Sequence, residues 1–80
     1  MSQDAKMMED ESVISYVGRI SEIVAGIKLY GGSKKEDEIV WKILRTLTPS
    51  FKQVAQMIEL LIPYTEKFTR ETLLGILEVA

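Results

Sequence analysis

Hydrophobic residues along residues 11–30 recur at gaps of three and four, which is the spacing of one face of an α-helix. Ser12 stands where its hydroxyl can accept a hydrogen bond from a free amide of the first turn. Gly31 and Gly32 follow, and glycine can close a helix in the left-handed conformation. The pattern predicts a first helix over about residues 12–30, whose stripe is Val13, Tyr16, Val17, Ile20, Ile23, Val24 and Ile27, with Tyr30 one step further.

A second stretch with helical spacing covers about residues 34–47. Ser33 and Glu36 lie three residues apart at its start, a spacing that predicts a capping box in which each side chain bonds the other's backbone amide. The residues expected to face the core are Val40, Ile43, Leu44 and Leu47, with Ile39 at the margin.

A third helix is expected over about residues 49–61. Thr48 is its predicted cap, Pro49 fits the first helical position, and Pro63 ends it because the residue before a proline avoids helical geometry. The predicted core residues are Phe51, Val54, Ala55, Ile58, Leu61 and Ile62.

The fourth predicted helix covers about residues 70–79 after Thr69 as cap, and Leu73, Ile76 and Leu77 share one face. Tyr64 and Phe68, in the loop before it, could fold back onto the core. Residues 1–10 are polar and acidic without an apolar period, so we expect a flexible lead-in, with residues 11–80 forming a compact all-α four-helix domain. The chain stops at Ala80 without a closing signal, which indicates a piece of a longer polypeptide.

Composition narrows the chemistry of this domain. The chain has 80 residues, 46% of them hydrophobic, a net charge of −2, and neither cysteine nor histidine. Disulfides, thiolate metal sites and the commonest general base are therefore excluded. Glu36, Asp37 and Glu38 are consecutive and point in different directions on a helix, so they do not converge on a substrate. We expect no enzyme, no cofactor and no metal site.

No apolar run is long enough to cross a membrane, and the start lacks the basic-then-apolar layout of a signal peptide. The surplus of apolar residues on so short a chain indicates burial against another chain. A soluble cytoplasmic helical domain is the expectation from these features.

Two segments resemble the Gag polypeptide of copia-type retrotransposons. Glu11, Tyr16, Arg19 and Ile20 match the acidic, aromatic, arginine and apolar positions of the major homology region, the motif that opens the C-terminal domain of retroviral capsid proteins. Residues 42–51, KILRTLTPSF, match a K-I-L-R-x-L-x-P-x-F segment of the same family. The resemblance covers roughly residue 8 to the end.

The resemblance implies a retroviral capsid C-terminal fold with a structural hydrogen-bond network. The positions of that network are occupied in this chain by Glu11, Tyr16 and Arg19. The alternative is that Glu11 and Arg19 are two exposed charges that take part in no network. The family has Gln and Gly upstream of its glutamate, where this chain has Met7 and Met8.

Capsid domains of this family dimerise through their second helix, often with an aromatic residue in the contact. The resemblance therefore implies an oligomer interface at Trp41 with Glu38, Lys42 and Arg45, although a lone tryptophan can also pack along the edge of a core. Further apolar residues lie off the predicted core faces, Ile14 and Leu29 on the first helix and Met57 and Leu60 on the third. Met57 and Leu60 are the secondary interface candidates.

The function implied is a non-catalytic Gag assembly module that dimerises, contacts neighbouring Gag domains and helps build an intracellular, virus-like particle. The alternatives are a domesticated Gag-derived adaptor that binds a protein or peptide, and an RNA-binding Gag fragment. Acidic residues dilute the positive charge of the second helix and no zinc knuckle is present, so we expect no nucleic-acid binding by this segment alone.

Overall fold

The computed structural model describes residues 5–80, which form four α-helices joined by short connections. Throughout this part of the chain no strand occurs, so the predicted all-α four-helix domain is confirmed. Helix α4 packs against α1 and α2, and α3 packs against α2. The helices are α1 Val13–Leu29, α2 Glu36–Thr46, α3 Lys52–Leu61 and α4 Arg70–Val79, with single 3-10 turns at Pro49–Phe51 and Ile62–Tyr64.

Helix α1 begins and ends as its sequence predicts. The Ser12 hydroxyl accepts a hydrogen bond from the amide three residues on. At the other end the amides of Gly31 and Gly32 donate to the carbonyls of Lys28 and Ile27, at 3.1 and 3.0 Å. Gly31 has φ 84°, the left-handed region, and a Cβ on Gly32 would lie 2.7 Å from the Ile27 side chain. Both positions therefore require glycine.

The core contains one buried face from each helix, and the predicted stripes supply most of it. Its fully buried large side chains are Tyr16, Ile20, Val40, Ile43, Ile58 and Leu73. Ile39, expected at the margin, is buried. Leu61, expected inside, is exposed, because it lies about 60° to one side of Ile58 around the helix. Burying each large apolar side chain contributes roughly 1.5–3 kcal/mol, so this core holds the fold together.

The segment before α1 is packed, which corrects the flexible lead-in predicted for residues 1–10. Ala5 and Met7 are buried in the core, and the Met7 amide donates to the Thr46 carbonyl at 2.9 Å. Residues 1–4 of that prediction lie outside the described residues. Two buried side chains separated by one exposed residue close the end of the core, and so short a segment carries no helical period to reveal it.

The predicted capping box at the start of α2 is wrong. The helix begins at Glu36 with Lys35 as its cap residue, and the Lys35 side chain accepts no hydrogen bond from the first turn. Ser33 takes no part, and the Glu36 carboxylate binds Arg70 of α4 instead. An arginine two helices away competes for this carboxylate more strongly than a neutral amide does, because both hydrogen bonds are charge-assisted.

The connections around α3 also differ from the prediction. The third helix opens with the 3-10 turn Pro49–Phe51, and the Thr48 hydroxyl pairs with the Ser50 hydroxyl at 2.9 Å rather than capping an amide. In the loop before α4, Phe68 packs against the core, whereas Tyr64 is exposed. Thr69 caps α4 as predicted, accepting from the Thr72 amide.

Replacing Met7 by alanine tests the packed N-terminal segment. Met7 is 7% exposed, so Met7→Ala leaves a cavity and should lower the free energy of unfolding by about 2 kcal/mol or more. Its neighbour Met8 is 62% exposed, so Met8→Ala is the matched control and should change stability by less than about 0.5 kcal/mol. Urea unfolding followed by circular dichroism measures both; equal effects would contradict the packing described above.

Candidate functional site

The hydroxyl of Tyr16 joins three parts of the domain. It contacts the Thr46 hydroxyl at the end of α2 and lies 3.5 Å from the Ala5 carbonyl of the N-terminal segment. Thr46 donates to the Lys42 carbonyl at 2.7 Å and so can accept from Tyr16. Burial raises the pKa of Tyr16, which keeps the phenol neutral and able to donate. Tyr16 thereby fixes α1 to α2.

Glu11 and Arg19 form an ion pair beside this hydroxyl. Arg19 donates to both carboxylate oxygens of Glu11, from Nη2 at 2.9 Å and from Nε at 3.2 Å, and its Nη2 also donates to the Lys6 carbonyl at 2.8 Å. The guanidinium carbon lies 5.1 Å from the centre of the Tyr16 ring. The structure thus brings together Glu11, Tyr16 and Arg19, the three residues that the resemblance implied.

This cluster depends on the charge of Glu11. The hydrogen bond from Arg19 lowers the pKa of Glu11, and the Met8 amide, which donates to the same carboxylate at 3.0 Å, lowers it further. Met8 contributes only its backbone here, a role that any residue except proline can fill. The two charges are partly buried, and their partners tie the N-terminal segment to α1 rather than forming a reactive centre.

A second ion pair joins α2 to α4, and sequence reasoning missed it. Arg70 donates to Glu36 from Nε at 2.9 Å and from Nη2 at 3.1 Å, and its Nη1 donates to the Ser21 hydroxyl of α1 at 3.1 Å. The Arg70 backbone amide donates to the same carboxylate at 2.9 Å. Arg70 therefore joins its own helix, α4, to both α1 and α2.

The position of Arg70 offers a signal that could have revealed the pair. Arg70 is the first residue of α4, where the helix dipole favours negative charge, so a cation there needs a nearby carboxylate. Glu36 supplies that carboxylate, and it also satisfies a free amide of the first turn. The hydrogen bond from Arg70 lowers the pKa of Glu36.

The outward face of α2 carries the predicted interface residues. One side of Trp41 packs against the core, and the side chain is partly exposed. The alternative that this tryptophan packs along the edge of the core therefore describes its inner side. The guanidinium of Arg45 lies 6.0 Å from the centre of the Trp41 ring, at the limit of a cation–π contact. Together with Asp37, Glu38 and Lys42, these side chains line a shallow depression, which we call the α2 face.

Charges on the α2 face are separated by sign along the helix. Asp37 lies one turn before Trp41 and Arg45 lies one turn after it, with Glu38 on the acidic side and Lys42 on the basic side. The acidic end coincides with the N-terminus of α2 and the basic end with its C-terminus, the arrangement that a helix dipole favours. The face therefore presents an aromatic centre between opposite charges.

Met57 and Leu60, the secondary candidates, lie on α3 and are 59% and 73% exposed. None of the side chains that line the α2 face is on α3, so the structure does not bring these two residues to Trp41. They belong to a separate surface.

In residues 5–80 no three acidic side chains converge as metal ligands, and every buried side-chain nitrogen or oxygen atom of this part has a hydrogen-bond partner. None of the described helices combines the length and apolar character of a membrane span.

No protein-family model, curated protein or solved structure matches the chain.

The ion pair of α2 and α4 predicts a specific pH dependence. The folded-state pKa of Glu36 lies below its ordinary value of 4.5, so the pair stabilises the fold above that value and its contribution is lost as the pH falls further. Glu36→Gln should lower the free energy of unfolding by about 1 kcal/mol at pH 7, a modest amount because the Glu36 side chain is 37% exposed.

Denaturant unfolding of wild type and variant from pH 7 to pH 3 measures this contribution. The difference between them should shrink as the pH falls below 4.5, because Glu36 is protonated first in the unfolded chain and only at lower pH in the folded one. Glu22→Gln, a matched change at an exposed position of α1, should leave stability nearly unchanged. A difference that is constant down to pH 3 would show that the charge of Glu36 does not stabilise the fold.

Proposed function

We propose that this domain is a non-catalytic assembly module that associates with copies of itself through the α2 face. The observation that carries the proposal is the order of groups on that face, in which acidic, aromatic and basic side chains follow one another. A twofold axis through Trp41 makes this order self-complementary, because each residue before the axis meets the residue that follows it on the partner helix.

Pairing two α2 helices in antiparallel fashion places opposite charges together. Asp37 and Arg45 lie four residues to either side of Trp41, so Asp37 of one copy faces Arg45 of the other and the reverse. The two indoles meet at the axis, where an aromatic anchor contributes most to binding. The flanking charges fix the register and disfavour parallel pairing, which would place like charges together.

The resemblance to copia-type Gag gives this association a purpose. Gag proteins of that class build an intracellular particle from many copies, and the retroviral capsid C-terminal domains that the chain resembles dimerise through their second helix. We infer that the domain is a Gag-type capsid module that dimerises first and has neighbouring Gag domains as further partners. An active element and a domesticated copy are both compatible with this role.

Two other functions fit the α2 face less well. An adaptor that binds a peptide needs a concave apolar pocket, whereas four of the five side chains lining this depression are charged. Binding of RNA needs a continuous positive surface, and here Asp37 and Glu38 interrupt it.

Trp41→Ala tests the anchor. Removing the indole should weaken self-association about tenfold or more in dissociation constant, because truncation of a buried aromatic anchor costs roughly 1–2 kcal/mol or more. Sedimentation equilibrium measures the change, and helical circular dichroism is the control for folding. Tyr30→Ala, which removes an aromatic ring that is 94% exposed at the end of α1, should leave association unaltered. Unfolding of the Trp41 variant would make the residue part of the core instead.

A charge exchange tests the register. Arg45→Glu alone and Asp37→Lys alone should each prevent this contact, since each places like charges together across the twofold axis. Mixing the two variants should restore it as a heterodimer, because each altered residue then meets an opposite charge on its partner. Sedimentation of the separate and mixed samples provides the readout. If mixing fails to restore association while both variants remain folded, the antiparallel arrangement is wrong.

A further inference from the structure

A second surface, which unlike the α2 face carries no charge, runs along α3 and the turn that follows it. Met57, Leu60, Leu61 and Tyr64 follow one another at spacings of three, one and three residues, which places them on one side of a helix. They are 59%, 73%, 48% and 90% exposed. We call these four residues the α3 stripe.

Helical backbone continues through the whole stripe. The Ile62 amide donates to the Ile58 carbonyl, and the Thr65 amide donates to the Ile62 carbonyl at 3.1 Å, so the turn Ile62–Tyr64 extends α3. Residues three apart eclipse one another in a 3-10 turn, which aligns Tyr64 with Leu61. The stripe is therefore a straight ridge rather than four scattered side chains.

The fold itself does not use this ridge. The core face of α3 contains Ala55 and Ile58, and the stripe lies roughly a third of a turn away from it. No stripe residue carries a charge, and the exposed side chains beside its N-terminal half, Gln53 and Gln56, are also uncharged. A contiguous apolar patch of this kind on a small domain marks an interaction site.

We propose that the α3 stripe binds the α3 stripe of a second copy of this chain, at a twofold contact separate from the α2 face. The absence of charge favours a copy as the occupant, since a twofold axis packs the ridge against the same ridge of the partner and an uncharged ridge meets no like charge there. Taking about 200 Å² for each fully exposed side chain, the four residues can bury roughly 500 Å² per copy, or about 1,000 Å² in total. That area reaches the lower limit for a specific interface.

This inference rests on the proposed function and extends it. The α2 face and the α3 stripe share no residue, so one copy can engage a different partner at each. Two different twofold contacts on one protomer carry assembly past the dimer. If the twofold axes of the two contacts intersect, the assembly can close on itself. If they do not intersect, the assembly is an open chain.

Leu60→Lys tests the stripe, because it places two like charges near the twofold axis. Leu60 is 73% exposed, so the change does not disturb the core. Leu29→Lys, at a position on α1 that is 85% exposed, is the matched control. Sedimentation over a concentration series should show wild type and the Leu29 variant growing past the dimer mass, whereas the Leu60 variant should stop at the dimer. Trp41→Ala should also stop at a dimer, now formed through the stripe, and the double variant should be a monomer.

The masses of these five proteins distinguish the two contacts. If the wild type stops at a dimer and Trp41→Ala abolishes that dimer, the stripe contact is overturned and the α2 contact is supported. The stripe would then bind another kind of partner. If Leu60→Lys blocks the increase in mass and Trp41→Ala leaves it unchanged, the stripe contact is supported and the α2 contact is overturned. A wild type that is monomeric at every concentration overturns both, and a Leu29 variant that behaves like the Leu60 variant overturns the assignment to the stripe.

Cross-linking gives a second readout of the stripe. The chain has no cysteine, so Leu60→Cys introduces a single thiol next to the proposed axis. Mild oxidation should convert it to a disulfide-linked dimer much faster than Leu29→Cys. Equal rates for the two variants would contradict the contact.

Discussion

The structure depends on satisfying the buried hydroxyl of Tyr16. The side chain lies at the centre of the core, and a buried hydroxyl without a partner costs about 1–3 kcal/mol. Thr46 and the Ala5 carbonyl surround it, so the end of α2 and the N-terminal segment both meet α1 at the same point. The Met7 amide, bonded to the Thr46 carbonyl, closes this arrangement. One polar atom thus determines how three segments are arranged in a chain too short to have many alternatives.

The ion pairs act on geometry more than on total stability. A partly exposed pair such as Glu36 with Arg70 contributes about 1 kcal/mol or less, whereas each large side chain in the core contributes roughly 1.5–3 kcal/mol. Apolar burial alone, however, does not select one orientation of α4, because its stripe could slide along the others. The two parallel hydrogen bonds from Arg70 to Glu36 hold the start of α4 at the start of α2. Directional contacts therefore choose among packings that burial makes favourable.

Sequence pattern predicted what depends on local spacing and missed what depends on partners far along the chain. The helical stripes, the Ser12 and Thr69 caps and the double glycine all act within one turn, and their predictions agree with the structure. The capping box failed because Glu36 has two possible partners, and only the fold decides that Arg70 is close enough to compete.

The N-terminal segment and the surfaces show the same limit. Ala5 and Met7 are buried without any period to announce them, since a segment that merely covers the end of a core needs no repeating pattern. The residues near Trp41 could be named from the resemblance, but the full α3 stripe could not. Leu61 was assigned to the core, and Tyr64 stands in what sequence pattern alone suggests is a loop.

The two surfaces have different physical characters, and this difference sets the order in which they can act. The α2 face carries opposite charges around an aromatic centre, so in the proposed assembly it attracts a copy at a distance and accepts one register. The α3 stripe has only apolar area, which acts at contact and discriminates little between registers. A weak uncharged contact of this size is strengthened once copies are already paired, because each dimer carries two stripes and a closed assembly engages several of them at once. The α2 contact is therefore the one able to start assembly, and the stripe is the one able to extend it.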